Sequence, residues 1–201
     1  MLSSGDKGFR KNGLQALSVS QASYSIKSMN LDRCVRIGHS ALLAIAGMKH
    51  LEILILSNCP NISIEGMAAI AQACHSLWSI SLSSCGRCVT VDMVEALNPL
   101  SQKLRSLDLS HCDIGKAALA KLASFVQLNH LNLSGCTSVD DDSILALCEG
   151  QFDPGVRYLN LDKCAKVTDL SLTWILDGLR RKSSGEMFEV TLETLLFKDT
   201  R

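Results

Sequence analysis

The residues of this chain that could carry chemistry are nine cysteines, five histidines and a run of three aspartates. Cys85-Gly86-Arg87-Cys88 is a C-x-x-C pair, half of a structural zinc site. A tetrahedral zinc centre needs a second pair at suitable spacing, and the sequence offers none. His111 beside Cys112 has the composition of a nucleophile with its base. A reactive thiolate needs an exposed, electropositive setting, whereas Cys112 occupies a recurring position that points inward. Asp140-Asp141-Asp142 lacks the glycine and closing glutamate of a calcium loop. It falls at an expected helix start, where acids favour the dipole. No Gly-rich phosphate loop and no G-x-S-x-G elbow occurs. The expectation is a chain with no catalytic residues, no metal and no cofactor.

The elements that position these residues come from a repeat. The pattern L-x-x-L-x-L-x-x-C appears as Leu51-Leu54-Leu56-Cys59, Leu77-Ile80-Leu82-Cys85, Leu104-Leu107-Leu109-Cys112, Leu128-Leu131-Leu133-Cys136 and Val156-Leu159-Leu161-Cys164. A looser copy, Ile26-Met29-Leu31-Cys34, precedes them. The cysteine recurs every 24 to 28 residues, a period that marks a leucine-rich repeat. The x-L-x-L-x stretch alternates with period two, so it predicts a short strand with one buried face. After each cysteine comes an apolar residue and then a helix-capping type: Gly38, Ser63, Thr90, Gly115, Asp140 and Thr168. Apolar residues at helical spacing follow, as in Met67, Ile70 and Cys74, or Leu172, Ile175, Leu176 and Leu179. Each repeat therefore reads strand, turn, helix, return loop. One repeat buries too little to offset its ordering entropy, so neighbours must stack. The expected fold is an α/β solenoid, a horseshoe with parallel strands on the concave face and helices on the convex face.

Clear repeats run over residues 26–180 of a single domain spanning 1–201, with partial repeats at about 1–25 and 190–201. Phe9 to Leu17 reads as the helical half of a repeat whose strand is missing. Leu192 to Thr200 reads as a strand half whose helix is missing. The chain is accordingly expected to be a slice of a longer solenoid or a short isoform. Arg180-Arg181-Lys182-Ser183-Ser184 reads as a solvated basic loop.

The 20 basic and 20 acidic residues cancel, which demotes nucleic-acid binding. No apolar run approaches the ~20 residues a bilayer span requires, and Met1 to Gly13 has no apolar signal core. No membrane association is expected. An odd number of cysteines, six of them at one repeat position, reads as reduced thiols in the cytoplasm or nucleus. The sequons at Asn61 and Asn132 read as chance matches, because Asn132 lies in an expected strand.

Leu56-Ser57-Asn58-Cys59-Pro60-Asn61-Ile62 and Leu161-Asp162-Lys163-Cys164-Ala165-Lys166-Val167-Thr168-Asp169 resemble the cysteine-containing subfamily of leucine-rich repeats. That subfamily is best known from F-box/leucine-rich-repeat proteins, the substrate receptors of cullin-RING ubiquitin ligases. The resemblance implies a substrate-recognition module for protein degradation, reaching cullin-RING components through an F-box not seen in these residues. The alternatives are a structural or adaptor subunit of a large assembly, or a small-molecule co-receptor. A single clustered pocket would favour the last.

A partner protein is expected on the concave face, where the x positions form rows across the repeats. Most are small and polar, allowing close approach. Ile53, Ile55, Trp78, Arg105, Asp108, His130, Arg157 and Tyr158 stand out as candidate contacts, since aromatic and arginine side chains are the usual interface anchors.

Overall fold

In a computed structural model, residues 2–3, 11–86, 88–149, 156–182 and 194–196 are described. They alternate strand and helix: β1 (Leu2–Ser3), α1 (Lys11–Ser18), β2 (Ser28–Asn30), α2 (His39–Ala46), β3 (Ile53–Ile55), α3 (Ile64–Ala73), β4 (Ser79–Ser81) and α4 (Val91–Ala96). They continue as β5 (Ser106–Asp108), α5 (Lys116–Leu122), β6 (His130–Asn132), α6 (Asp141–Glu149), β7 (Tyr158–Asn160), α7 (Asp169–Lys182) and β8 (Thr194–Leu196). The eight strands form one sheet in chain order, every pair parallel. Consecutive helices pack against one another on one side of it. Strands stack about 4.8 Å apart while packed helices need about 8–10 Å, so the helical side is the outer curve. This is the predicted α/β solenoid. Leu2–Ser3 pairs with Met29 and Asn30 where the sequence pattern offers no strand, because two residues are too few to show a period of two. The expectations at Phe9, Ser183, Ser184, Leu192 and Thr200 lie outside the described residues.

The core follows the repeat. Leu51, Leu54, Leu56 and Cys59 are all fully buried, and their counterparts line up along the solenoid. Just before each ladder cysteine the chain enters the left-handed region, at Arg33, Asn58, Ser84, His111, Gly135 and Lys163. Five of these six carry a side chain, at a conformational cost of about 1–2 kcal/mol each. The turn is held because each of these amides, from Arg33 to Gly135, donates to a carbonyl of the next repeat, as Arg33 does to Ser57 at 2.9 Å. Among these six turn positions, Gly135 is where the side chain must be absent. A Cβ there would stand 2.3 Å from the His111 ring packed over it. Gly66 plays a similar part in α3, where a Cβ would meet Leu42 of α2 at 2.6 Å.

The helices begin as the caps predict. The Ser63 hydroxyl accepts from the Gly66 amide, and the Thr90 hydroxyl from that of Met93. The aspartate run does more than favour a dipole. The Asp140 carboxylate accepts from the Ser143 amide at 2.9 Å and so caps its own helix. Asp141 reaches across to the next repeat, accepting from the Thr168 amide at 2.9 Å, the Thr168 hydroxyl at 2.7 Å and the Ser171 hydroxyl. One correction concerns α7: Leu176, expected on its buried face, is 51% exposed. Its helical spacing is shared with Ile175, which takes the inward place. The Leu179 side chain lies outside the described set.

Two outcomes are expected. Cys59, Cys74, Cys85, Cys112, Cys136 and Cys164 are buried, whereas Cys34, Cys88 and Cys148 are partly exposed. Burial pushes the thiols of Cys59 and Cys136 up to about 12 and those of Cys74 and Cys112 to about 11. In native protein a thiol reagent should modify the three partly exposed cysteines first and reach the other six only on denaturation. A single rate for all nine, or fewer than nine thiols in denatured unreduced protein, would contradict the buried, reduced ladder.

The second outcome concerns Asp141. Partial burial pushes its carboxyl up, but hydrogen bonds from Ser171 and Thr168 outweigh that and hold it below the usual carboxylate range. A depressed folded value stabilises the fold above the unfolded carboxyl's titration near about 3.9, and that contribution disappears as pH falls through the folded value. Asp141→Asn should therefore cost about 1 kcal/mol at neutral pH. The gap between the two proteins in denaturant melts should narrow as pH falls below the unfolded carboxyl's titration and close once the pH has passed below the lowered folded value, where the native carboxyl is also neutral. A gap that persists there would mean the charge is not what Thr168 and Ser171 recognise.

Candidate protein-interaction surface

The strand registers align the outward positions into rows. Ser28, Ile53, Ser79, Ser106, His130, Tyr158 and Thr194 are direct partners across seven strands. Asn30, Ile55, Ser81, Asp108, Asn132, Asn160 and Leu196 form the row beside it. Between them the buried row runs Met29, Leu54, Ile80, Leu107, Leu131 and Leu159. The period-two alternation read from the sequence thus becomes two open rows of side chains on one concave sheet.

The second row is half committed to the fold. The side-chain oxygens of Asn30, Asp108, Asn132 and Asn160 each accept from the amide two residues on, closing an Asx turn that starts the descent toward the ladder cysteine. Asp108 also accepts from the Ser81 hydroxyl at 3.2 Å, and Ser81 in turn bonds Ser57 at 2.9 Å. Both carboxylate oxygens of Asp108 therefore have structural partners. Nothing in the L-x-x-L-x-L pattern flags this role; the signal that could have found it is the Asx residue two positions before a turn.

The first row holds the most developed feature. The His130 and Tyr158 rings are stacked, with centroids 4.0 Å apart and planes 7° from parallel. Being direct register partners on adjacent strands puts them at this separation. His130 Nδ1 is buried with no hydrogen-bond partner among the described residues, and so is Asp162 Oδ1 further along the same repeat as Tyr158. The Tyr158 hydroxyl accepts from the Asn160 amide group at 3.3 Å. Ile53 and Ile55 sit half-buried three strands away, a separate apolar patch.

Trp78, Arg105 and Arg157 do not stand in either concave row. They precede β4, β5 and β7, and main-chain bonds put them on a rung at the N-terminal edge of the sheet. Arg105 N–H donates to the Trp78 carbonyl at 2.8 Å, Asn129 N–H to Arg105 at 2.9 Å, and Arg157 N–H to Asn129 at 2.8 Å. The eight candidates therefore divide into an aromatic pair, an isoleucine pair, a structurally engaged aspartate and an edge group.

The C-x-x-C thiols diverge: Cys85 donates to the Leu56 carbonyl at 3.1 Å and Cys88 to that of Pro60 at 2.7 Å. No group of three or more metal-ligating side chains occurs among the described residues. Among them, too, no helix is long and apolar enough to cross a membrane.

Comparison with known proteins places these observations. A family model described as Leucine Rich repeat matches residues 47–71, 100–123 and 128–148. The Antagonist of mitotic exit network protein 1 of Candida glabrata is 29% identical over 127 residues, covering 61% of this chain and 25% of that protein. Its namesake in Eremothecium gossypii is 30% identical over 131 residues, covering 63% of this chain and 33% of that protein. The match thus spans a quarter to a third of the length of these curated relatives. The tropomodulin C-terminal domain of Caenorhabditis elegans has the same fold, with a TM-score of 0.50 at 10% identity over 66% of this chain and 84% of that one. Leucine-rich repeats are repeats through which proteins bind other proteins. The repeat, the parallel sheet and the matched segments give this chain the leucine-rich-repeat fold, with cysteine at the ladder position.

Proposed function

We propose that this chain is a recognition scaffold that holds a partner protein on its concave sheet, anchored by the His130–Tyr158 stack, and that the captured protein is a substrate presented to a ubiquitin ligase. The observation that carries the proposal is the stack itself: two rings at 4.0 Å, with a buried nitrogen on His130 that has no partner among the described residues. A buried polar atom without a partner costs free energy that a bound group could recover. Ser79 and Ser106 lie in the same row next to it, and small neighbours let a second chain approach. Ile53 and Ile55 supply apolar contact at the far side of the strip. Binding of this kind uses no catalysis.

The ligase step rests on the resemblance of the cysteine-type repeat to F-box/leucine-rich-repeat receptors. The buried, protonated thiols agree with a reducing setting such as cytoplasm or nucleus. The fungal relatives support a second reading. A protein named as an antagonist of a network can act by binding alone, which corresponds to an adaptor with no ligase role.

Replacing His130 and Tyr158 by alanine should weaken partner capture about tenfold or more, as truncation of an interface anchor does. Lys121→Ala on the convex face should leave capture intact, since its ion pair with Glu95 is half-exposed and worth little. Loss with Lys121→Ala alone would move the interface to the helices. Recovery of cullin-RING components in the same capture, from cells expressing the longest natural form, is expected. A stable partner without them would favour the adaptor.

A further inference from the structure

The edge group that left the concave rows defines a second surface. Trp78, Arg105 and Asn129 occupy successive rungs at the N-terminal edge of the sheet. The return loops add His75, Gln102 and Lys103, and together they enclose an open hollow of about 550 Å³. That lies in the range of a small ligand site. Trp78 is 38% exposed there, a large aromatic that the fold leaves uncovered. Lys103, Arg105 and His75 are exposed and no carboxylate lines the hollow. Among the described residues neither Lys103 nor Arg105 is in an ion pair. Glu52, the acid in the rung before Trp78, is engaged by Lys27 at 2.8 Å.

A net charge of zero conceals this arrangement. The helix-start edge carries both signs, with Asp140, Asp141, Asp142 and Asp169 on or beside helix N-termini and Lys116 and Lys166 among them. The return-loop edge carries Lys49, Lys103 and Arg105. The hollow is a cationic, aromatic-floored site on a chain whose net charge is zero.

We propose that this hollow binds a short acidic peptide segment of a protein partner, separately from the concave strip. Arg105 offers the planar fork that pairs with a carboxylate, and Lys103 a second cation. Trp78 supplies apolar floor for a side chain between the acids. Gln102 and Asn129 present amides that can pair with both the N–H and the C=O of a peptide backbone. A nucleic acid fits less well. Single strands are held by successive aromatic platforms along a basic groove, and here one tryptophan is flanked by cations of a single neighbouring repeat.

The test uses the full chain and a fluorescent peptide rich in glutamate and leucine, with fluorescence anisotropy as the readout. The acidic peptide should bind, and the same peptide with glutamine for glutamate should not. Arg105→Glu and Lys103→Glu should each weaken binding about tenfold or more, and added salt should weaken it further. Arg105→Gln, a milder change, serves if the charge reversal disturbs folding. The double alanine variant at His130 and Tyr158 should bind the acidic peptide normally, which separates this site from the concave reading. Equal binding of the glutamine peptide, or no effect of the charge reversals, would overturn the proposal. So would tighter binding of a single-stranded oligonucleotide, or binding only when the peptide is phosphorylated.

Discussion

The solenoid depends on how each strand ends. Just past each strand from β2 to β6 the chain turns inward, and the carbonyl of the leucine there faces the interior, where water cannot reach it. The thiol of the next repeat's ladder cysteine answers that carbonyl: Cys59 to Leu31 at 3.3 Å, Cys85 to Leu56 at 3.1 Å, Cys112 to Leu82 at 3.2 Å, Cys136 to Leu109 at 3.2 Å and Cys164 to Leu133 at 3.1 Å. A thiol is a weak donor, but an unanswered buried carbonyl costs about 1–3 kcal/mol. Leu31, Leu82, Leu109 and Leu133 also accept from the cysteine amide of their own repeat, so both lone pairs are used. The residue type follows from the place: small enough for a closed corner, apolar enough for the core, and still able to donate.

Because this contact joins each repeat to the one before, it also sets the stacking. The left-handed residue before each cysteine, the amide bonds it makes to the next repeat, and the in-register strands all repeat at the same rung. The helix starts are stitched across repeats as well, by the His39–Ser63 pair at 3.0 Å, by Ser138 donating to Asp113 and by Thr168 donating to Asp141. One consequence is that chemistry is withdrawn from the cysteines. Desolvation holds the ladder thiols protonated, so a chain rich in cysteine offers few reactive ones. A second consequence is that binding groups arise at positions the ladder leaves free, the first concave row and the return-loop edge.

The polar residues of the sheet show how one position can serve both purposes. Asp108 looks outward in the alternation and is nonetheless occupied by Ser110 and Ser81. Its neighbours Asn132 and Asn160 close Asx turns in the same way. His130 and Tyr158 have no such duty in the turn, and their rings remain on the surface as a pair. The candidate strip is consequently narrower than a count of outward side chains implies.

The sequence alone determined the architecture, because the fold is periodic and each physical demand recurs at a fixed spacing. Buried leucines alternate by two, helix faces repeat near 3.6, and the cysteine falls where the strand closes. Its limits are equally physical. Leu2–Ser3 is too short to show a period, and Leu176 shares helical spacing with Ile175, so only packing decides which of the two turns inward. Tertiary structure alone decided that His130 stacks on Tyr158, residues 28 positions apart brought face to face by strand register. It likewise decided that Asp141 holds the next helix and that Trp78 and Arg105 share a hollow off the concave rows. Local pattern specifies what each repeat contains; which side chains meet across repeats depends on rung alignment, and variable loop lengths hide that alignment from a linear reading.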